Sequence, residues 1–203
     1  MRGLYAIIDP ATSCEPLALA EHVLRGGCGA LQLRAKLNDD GTFLALGAAL
    51  RRACRAHRVP FIVNDRAWLV AALDADGVHI GQDDAPIEEV RRTLGPDRSI
   101  GLSTRSLEQA LDAERRGADV IGFGPVFATA TRIPAEPAVG VAALAEVCAR
   151  VRIPVAAIGG LTPDHCAEIA RAGAAMGAVI SALSAAPDPE STARRMHTLL
   201  CTS

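Results

Sequence analysis

Short apolar runs recur along the chain, and a helical stretch that ends in glycine precedes most of them. The clearest copies are RGGCGALQLR, LDADGVHIGQ, RRGADVIGFG and RAGAAMGAVIS. The glycine suits a left-handed helix C-cap, and a continuous run of Val, Ile and Leu suits a strand that is covered on both faces, as in a parallel sheet. The repeat therefore predicts strands and helices in alternation.

This repeat predicts eight strand and helix units. The predicted strands lie at 3–8, 30–34, 59–63, 77–81, 99–102, 119–123, 153–158 and 176–180. Amphipathic helices are predicted between them, for example in PLALAEHVLR, TFLALGAALRRACRAH, SLEQALDAERR and PDHCAEIARA. Eight units in 203 residues predict a single (β/α)8 TIM barrel domain over 1–203, near the lower size limit of that α/β fold. An open doubly wound sheet is the alternative, which the lack of a G-x-G-x-x-G after the first strand disfavours.

Composition and charge narrow the range of partners. The formal net charge is −2 and no long run carries a single sign, so neither nucleic acid nor a membrane surface is expected as a partner. No apolar stretch approaches about 18 residues, so neither a transmembrane helix nor a signal peptide is predicted. The six cysteines lie far apart, which favours reduced thiols in a cytoplasmic protein. Small-molecule partners are expected, and a homo-oligomer is left open.

In a (β/α)8 barrel the active site is built at the carboxyl ends of the strands, so the residues that follow each apolar run are the candidates. Those candidates are Gln32, Arg34, Lys36, Asn64, Asp65, Gln82, Asp83, Asp84, Ser103, Gly159, Gly160 and Ser181. The turns AIGGLTP and AVISALS, after strands 7 and 8, suit a phosphate because small residues leave backbone N–H groups accessible to an anion. A tight turn is the alternative explanation for the two glycines. A phosphorylated ligand is favoured.

Two carboxylates and two cations indicate that the ligand also carries a group more highly charged than a single phosphate. Asp65 and Asp84 follow neighbouring strands, where two hard oxygen ligands and water could hold Mg²⁺. Arg34 and Lys36 are two residues apart, hence on one face of a strand, where they could neutralise phosphate oxygens. A diphosphate would fit between these groups. The alternative is that the aspartates are helix N-caps and the cations a solvated edge. The flanking residues that we expect to point to solvent are Arg66 and Asp83.

The longest segment without a predicted element, GPVFATATRIPAEPAVG, follows strand 6 and is about three times the usual length of such a loop. Thr129, Thr131 and Arg132 offer two hydroxyl groups and a cation to an anion, on a loop that could close over a substrate. A disordered linker is the alternative.

Five motifs resemble the thiamine phosphate synthase family, in the same order and over nearly the whole chain. They are VPFIVNDR, ADGVHIGQDD, GADVIGFGPVF, AIGGLTP and VIS. The resemblance implies a (β/α)8 barrel transferase that joins hydroxymethylpyrimidine diphosphate to hydroxyethylthiazole phosphate, with Mg²⁺ assisting the departure of diphosphate. It also implies that ionisation comes first and that the thiazole nitrogen then attacks, without a protein nucleophile.

The resemblance further implies a role for each matching residue. The pyrimidine diphosphate would be held by Gln32, Arg34, Lys36, Asn64 and Ser103. The metal would be held by Asp65 and Asp84. The thiazole phosphate would be held by Thr129, Thr131, Arg132, Gly160, Ile180 and Ser181. The expected catalytic residues among these are Arg34, Lys36 and Ser103. We interpret His79 as a packed or supporting residue rather than a base.

The chain departs from the family pattern in three places. The strand-2 motif is QLRAK, with Ala35 where the family usually has Glu, and the strand-6 loop is ATATR, with Ala128 and Arg132 in place of Pro and Lys. Arg105 stands after strand 5, where a His is common. These changes leave the rate and the exact thiazole substrate open. Two alternatives are a thiazole tautomerase-like paralogue and a non-catalytic barrel that binds a phosphorylated ligand. The intact metal carboxylates disfavour both.

Overall fold

The computed structural model of the chain describes residues 1–13, 15–129 and 137–202. Within these ranges eight parallel strands form a closed barrel in chain order, and the last strand pairs with the first. The strands are Gly3–Ile8 (β1), Ala30–Leu33 (β2), Phe61–Asn64 (β3), Gly77–Ile80 (β4), Ser99–Thr104 (β5), Val120–Phe123 (β6), Val155–Ile158 (β7) and Met176–Val179 (β8). The predicted (β/α)8 barrel is confirmed. The open sheet is wrong because neither β1 nor β8 is a free edge.

Helices follow the strands on the outside of the barrel. They are Pro16–Gly26 (α1), Asp40–His57 (α2), Val70–Leu73 (α3), Ile87–Leu94 (α4), Leu107–Arg115 (α5), Gly140–Arg150 (α6), Cys166–Arg171 (α7), Ser181–Ser184 (α8) and Pro189–Cys201 (α9). Single turns of 3-10 helix at Ala67–Leu69 and Pro163–His165 precede α3 and α7. The helix α9 packs against α1, α7 and β1 and so covers the place where the barrel closes. No helix in the described part of the chain is both long and apolar enough to cross a membrane.

The predicted glycine C-caps are present in three of the four copies of the repeat, but the prediction is wrong for LDADGVHIGQ, where Asp74 takes the left-handed conformation after α3 and Gly77 already belongs to β4. Gly27 ends α1 with a φ of 100°, a left-handed value that favours glycine, and its N–H donates to the carbonyl of Val23 at 2.9 Å. The N-termini of α2, α5 and α9 are capped by short polar side chains, as when Asp39 accepts a hydrogen bond from the Thr42 N–H at 2.9 Å. Local sequence signals therefore set several of the element boundaries.

Side chains along each strand alternate between the barrel interior and the layer of helices. In β1, Tyr5 and Ile7 point into the barrel, whereas Leu4, Ala6 and Ile8 pack beneath the helices. The other buried residues of the interior cluster are Ala30, Ile62, Val120, Ala156, Met176 and Ala178. Because both faces of every strand are buried, the strands read as continuous apolar runs in the sequence.

Two interior glycines make room for the ring of His79. A Cβ atom on Gly101 of β5 would overlap His79 Nδ1, and one on Gly122 of β6 would lie 2.9 Å from His79 Cε1. The same ring meets Tyr5 edge to face, with 6.4 Å between the ring centroids. One buried imidazole thus occupies the space that side chains of two neighbouring strands would otherwise fill.

We expect Gly101→Ala to destabilise the protein, because the added methyl group has no space beside His79. Overpacking of this kind typically costs about 1–3 kcal/mol, which lowers the melting temperature of a chain this size by roughly 2–4 °C for each kcal/mol. Thermal unfolding followed by circular dichroism measures the shift. The double variant His79→Ala/Gly101→Ala should be less destabilised than the sum of its single variants, and simple additivity would contradict the assigned clash.

Candidate active site

A cavity of about 380 Å³ opens at the carboxyl ends of the strands. Every predicted site residue in the described ranges lines it, and these are Gln32, Arg34, Lys36, Asn64, Asp65, Asp84, Ser103, Thr129, Gly160, Ile180 and Ser181. Thr131 and Arg132, which were also predicted, lie outside the described residues. The structure therefore brings together polar groups from chain segments that run from β2 to α8.

Strand alternation explains how these residues converge. Ala30 of β2 points into the barrel, so the residues two and four positions later, Gln32 and Arg34, point to the same side higher up. In β3, inward-facing Ile62 is followed in the same way by Asn64. Gln32, Arg34 and Asn64 thereby reach the mouth of the barrel, where the cavity is.

Gln32 forms a buried polar contact in the wall of this cavity. Its Nε2 atom lies 2.7 Å from the hydroxyl oxygen of Tyr5, and both side chains are buried. Burial raises the pKa of Tyr5, so the phenol remains protonated at neutral pH. The amide is held in place by a neutral partner, and a fixed amide is suited to recognise a polar ring by hydrogen bonds.

Asp65 and Asp84 form a pair of carboxylates at one side of the cavity. Asp65 follows β3 with a φ of 60°, and its N–H donates to the carbonyl of His79 at 2.9 Å, which bends the chain so that the side chain reaches the cavity. Burial and then the nearby Asp84 carboxylate raise the pKa of Asp65. The N–H of Gly81 donates to Asp84 Oδ2 at 2.6 Å. Repulsion between the Asp65 and Asp84 carboxylates would be relieved by a bound cation.

The donor set fits Mg²⁺ better than a metal that needs several protein ligands. Within the described ranges no group of three or more His, Cys, Asp and Glu side chains is arranged to hold a metal ion. Mg²⁺ usually takes one or two carboxylates and completes its shell with water and substrate phosphate oxygens. Asp65 and Asp84 supply that minimal set of hard oxygen ligands.

The two predicted cations have different carboxylate partners. Lys36 Nζ lies 3.3 Å from Asp65 Oδ2, and this lysine is 56% exposed. Arg34 is 24% exposed and forms an ion pair through Nη1 with Asp9, whose side chain is almost fully buried. Sequence reasoning missed Asp9, although it follows the first strand directly in the motif AIIDP, because only the ends of strands 2 to 8 were considered.

The expectation that Arg66 points to solvent is wrong. Its side chain is only 14% exposed, and its Nη1 donates to Asp40 Oδ1 at 2.8 Å. Its Nη2 donates to the carbonyls of Ala35, at 3.3 Å, and of Asn38. The turn after β3 brings the guanidinium back against the loop between β2 and α2. Arg66 therefore fixes the loop that carries Lys36. Asp83, by contrast, is exposed at the rim of the cavity.

His79 lies at the floor of the cavity beside Ser103. Burial lowers the pKa of His79 to about 4, so the ring is neutral at pH 7. Its Nε2 lies 3.0 Å from Ser103 Oγ, and its buried Nδ1 has no hydrogen-bond partner in the described part of the chain. Ser103 is also held through its carbonyl, which accepts from Gln82 Nε2 at 2.6 Å. The contact with Ser103 supports a positioning role for this histidine.

Packing between two loops accounts for the glycine pair after β7. Gly159 and Gly160 have φ values of 97° and 64°, and a Cβ atom on them would overlap Pro125 and the Ala128 carbonyl respectively. The loop after β6 is further anchored by Phe127, whose ring stacks on His165 with 3.8 Å between centroids. The positive φ values and the close contact with the loop after β6 therefore require glycine at both positions. The same turn brings Gly160 to the cavity wall.

The fold and this site define a (β/α)8 barrel with the charged, polar cavity that is typical of enzymes acting on phosphorylated small molecules. More specifically, the chain belongs to the thiamine monophosphate synthase family, whose model matches residues 4–183. The resemblance found in the sequence is thereby confirmed.

Individual relatives agree with this assignment. The chain is 46% identical over 197 residues to a thiamine-phosphate synthase of Anaeromyxobacter dehalogenans, covering 96% of this chain and 86% of that protein. It is 44% identical over 198 residues to one of Roseiflexus castenholzii, covering 96% and 87%. A solved thiamine phosphate pyrophosphorylase from Pyrococcus furiosus superposes with a TM-score of 0.90 at 35% identity, covering 98% of this chain and 95% of that one.

We expect Arg66→Ala to loosen the loop between β2 and α2, because two carbonyls on that loop and the Asp40 carboxylate at the start of α2 lose their shared donor. Hydrogen exchange of the amides in 35–40 should become at least about tenfold faster, as expected when about 1.4 kcal/mol of local stability is lost. Arg92→Ala, which removes an exposed arginine of α4, is the matched control and should leave that segment unchanged. Equal exchange rates in the two variants would contradict the role of Arg66.

Proposed function

We propose that this chain is a thiamine-phosphate synthase, a transferase that joins hydroxymethylpyrimidine diphosphate to hydroxyethylthiazole phosphate and releases diphosphate. Family membership over residues 4–183 supports the reaction. The observation that carries the proposal is that a carboxylate pair and two cations face a single cavity at the catalytic end of the barrel. A metal ion needs carboxylate ligands, and a negatively charged leaving group needs cations to neutralise it.

Arg34, Lys36, Asn64 and Ser103 would bind the pyrimidine diphosphate. The two cations lie on the same side as Asp65, where they could contact the phosphate oxygens that also approach the metal. Gln32, deeper in the wall, would hydrogen-bond the aminopyrimidine ring. This arrangement would direct the diphosphate towards the charged rim and the ring towards the barrel interior.

Asp65 and Asp84 would hold Mg²⁺. When bound, the ion would neutralise negative charge on the departing diphosphate. Arg34 and Lys36 would offset the remaining charge as it grows, and such preorganised charges act without reorganisation at the moment of reaction. Because the diphosphate would leave before the thiazole nitrogen attacks, the proposed reaction needs no protein nucleophile, and His79 would position Ser103 through the contact between Nε2 and Oγ.

The apolar part of the cavity would protect the pyrimidine cation from water. Ile7 of β1, Ile158 of β7 and Ile180, which follows β8, line the cavity. A cation formed next to these side chains would meet the thiazole nitrogen rather than solvent. The thiazole phosphate would lie against Thr129, Gly160, Ile180 and Ser181, and Thr131 and Arg132 remain predicted ligands of it.

The activity is tested by supplying both phosphorylated substrates and Mg²⁺ and measuring thiamine phosphate by chromatography. Asp65→Asn and Asp84→Asn should each lower kcat by at least about a hundredfold, because each removes one charged metal ligand. Asp83→Asn, at the exposed neighbouring position, is the matched control and should retain normal turnover. A folded wild-type protein that forms no product would refute the proposed reaction, whereas active Asp65→Asn would refute only the metal assignment.

Removal of the metal gives an independent check. Chelation by EDTA should abolish turnover and excess Mg²⁺ should restore it, because the carboxylate pair alone repels a diphosphate. Binding of Mg²⁺ alone can be followed by the heat that it releases in isothermal titration calorimetry. A normal Mg²⁺ titration of Asp65→Asn by this signal would contradict the assigned site.

A further inference from the structure

A buried carboxylate lies behind the cation side of the cavity. Asp9 directly follows β1 and continues the inward-facing row of Tyr5 and Ile7, and it is 3% exposed. It is not among the residues that line the cavity, whereas its partner Arg34 is. Ionised side chains are rarely buried to this extent unless they are paired, and Asp9 is paired with Arg34. Any effect of Asp9 on a ligand must therefore pass through Arg34.

The local chain holds this carboxylate in one orientation. Asp9 Oδ1 accepts the N–H of Ala11 at 2.9 Å, and the Asp9 carbonyl accepts both the N–H and the hydroxyl group of Thr12, at 2.9 Å and 3.0 Å. The remaining oxygen, Oδ2, accepts from Arg34 Nη1. The backbone N–H of Arg34 also donates to the Ile8 carbonyl, at 2.9 Å. Both partners are thus fixed to the top of the β1 and β2 pair.

We propose that Asp9 is a positioning residue that holds the Arg34 guanidinium in the geometry in which it binds the diphosphate of the substrate. The inference rests on the proposed role of Arg34. A free arginine side chain must lose rotamer freedom when it binds an anion, and a fixed partner removes that loss before the ligand arrives. Asp9 occupies Nη1, which orients the plane of the guanidinium and leaves its other donors for the cavity.

The partner of Lys36 differs from that of Arg34 in its position relative to the cavity. Lys36 contacts Asp65, which itself lines the cavity and is a proposed metal ligand, so this contact is part of the site. The partner of Arg34 lies outside the cavity and can remain in place while ligands enter and leave. Of these two cations, Arg34 is therefore the preorganised one.

A purely electrostatic role for Asp9 makes the opposite prediction. If the carboxylate only offset the charge of Arg34, its neutralisation would strengthen the attraction for an anion and lower the KM for the pyrimidine diphosphate. If it positions Arg34, neutralisation raises that KM. Whether the KM for the pyrimidine diphosphate rises or falls when Asp9 is neutralised therefore distinguishes the two roles.

The test is Asp9→Asn, which keeps the shape and removes the charge. We expect the KM for hydroxymethylpyrimidine diphosphate and the inhibition constant of inorganic diphosphate each to rise roughly tenfold, since one charge-assisted hydrogen bond is lost. The KM for the thiazole phosphate should stay within about twofold, because Arg34 does not contact that substrate in the proposed arrangement. Asp164→Asn, which neutralises an exposed carboxylate that does not line the cavity, is the control and should behave as wild type.

A double-mutant cycle separates positioning from general damage to the fold. Asp9→Asn/Arg34→Ala should bind diphosphate no more weakly than Arg34→Ala alone, because Asp9 then has nothing to position. Arg34→Ala leaves a buried carboxylate without its partner, so the second substitution should also raise the melting temperature. Asp9→Glu, which retains the charge, should bind diphosphate more tightly than Asp9→Asn. Circular dichroism checks that both of these variants are folded before their affinities are compared.

The outcomes distinguish this proposal from the one on which it rests. Unchanged diphosphate affinity in Arg34→Ala refutes the role of Arg34 itself. Weakened affinity in Arg34→Ala with unchanged or tighter affinity in Asp9→Asn overturns only the proposal for Asp9. Additive losses of diphosphate affinity in Asp9→Asn/Arg34→Ala also overturn it. If Asp9→Asn does not fold, the proposal is overturned when folded Asp9→Glu binds diphosphate no better than Arg34→Ala.

Discussion

Closure of the barrel between β8 and β1 is the constraint on which the rest of the structure depends. Because β8 pairs with β1 in register, every strand has two neighbours and every inward-facing row ends at the same opening. Side chains far apart in the sequence, such as Ile7 and Ile180, can then line one cavity. Without closure, Arg34 and Asp84 would stand on an open sheet with no common cavity.

The charged groups of this opening are arranged in linked pairs. Asp9 contacts Arg34, Lys36 contacts Asp65, and the Asp84 carboxylate raises the pKa of Asp65. In the first pair the Asp9 carboxylate is buried behind the cavity, whereas Lys36, Asp65 and Asp84 all line the cavity. The contact between Asp9 and Arg34 is therefore fixed, whereas Lys36, Asp65 and Asp84 can exchange their contacts for a metal ion or a phosphate.

The site also depends on residues that touch no ligand in the proposed arrangement. Arg66 fixes the loop of Lys36 through two carbonyls and Asp40, and the neutral ring of His79 contacts Ser103. Gly101 and Gly122 are glycine because that ring needs their space. Supporting contacts of this kind explain why a cavity lined by flexible polar side chains can retain a defined shape.

The sequence by itself determined the order and type of the elements, since strands buried on both faces and glycine C-caps leave local patterns. Boundaries were less well predicted: 59–63 was expected for β3, which begins only at Phe61 because the Val59 N–H still bonds to the Cys54 carbonyl of α2. Motif positions predicted the cavity lining for the described residues. Only the tertiary structure decided the partners of Arg34 and Arg66, because ion pairs between distant segments depend on barrel register and loop direction, which no local pattern encodes.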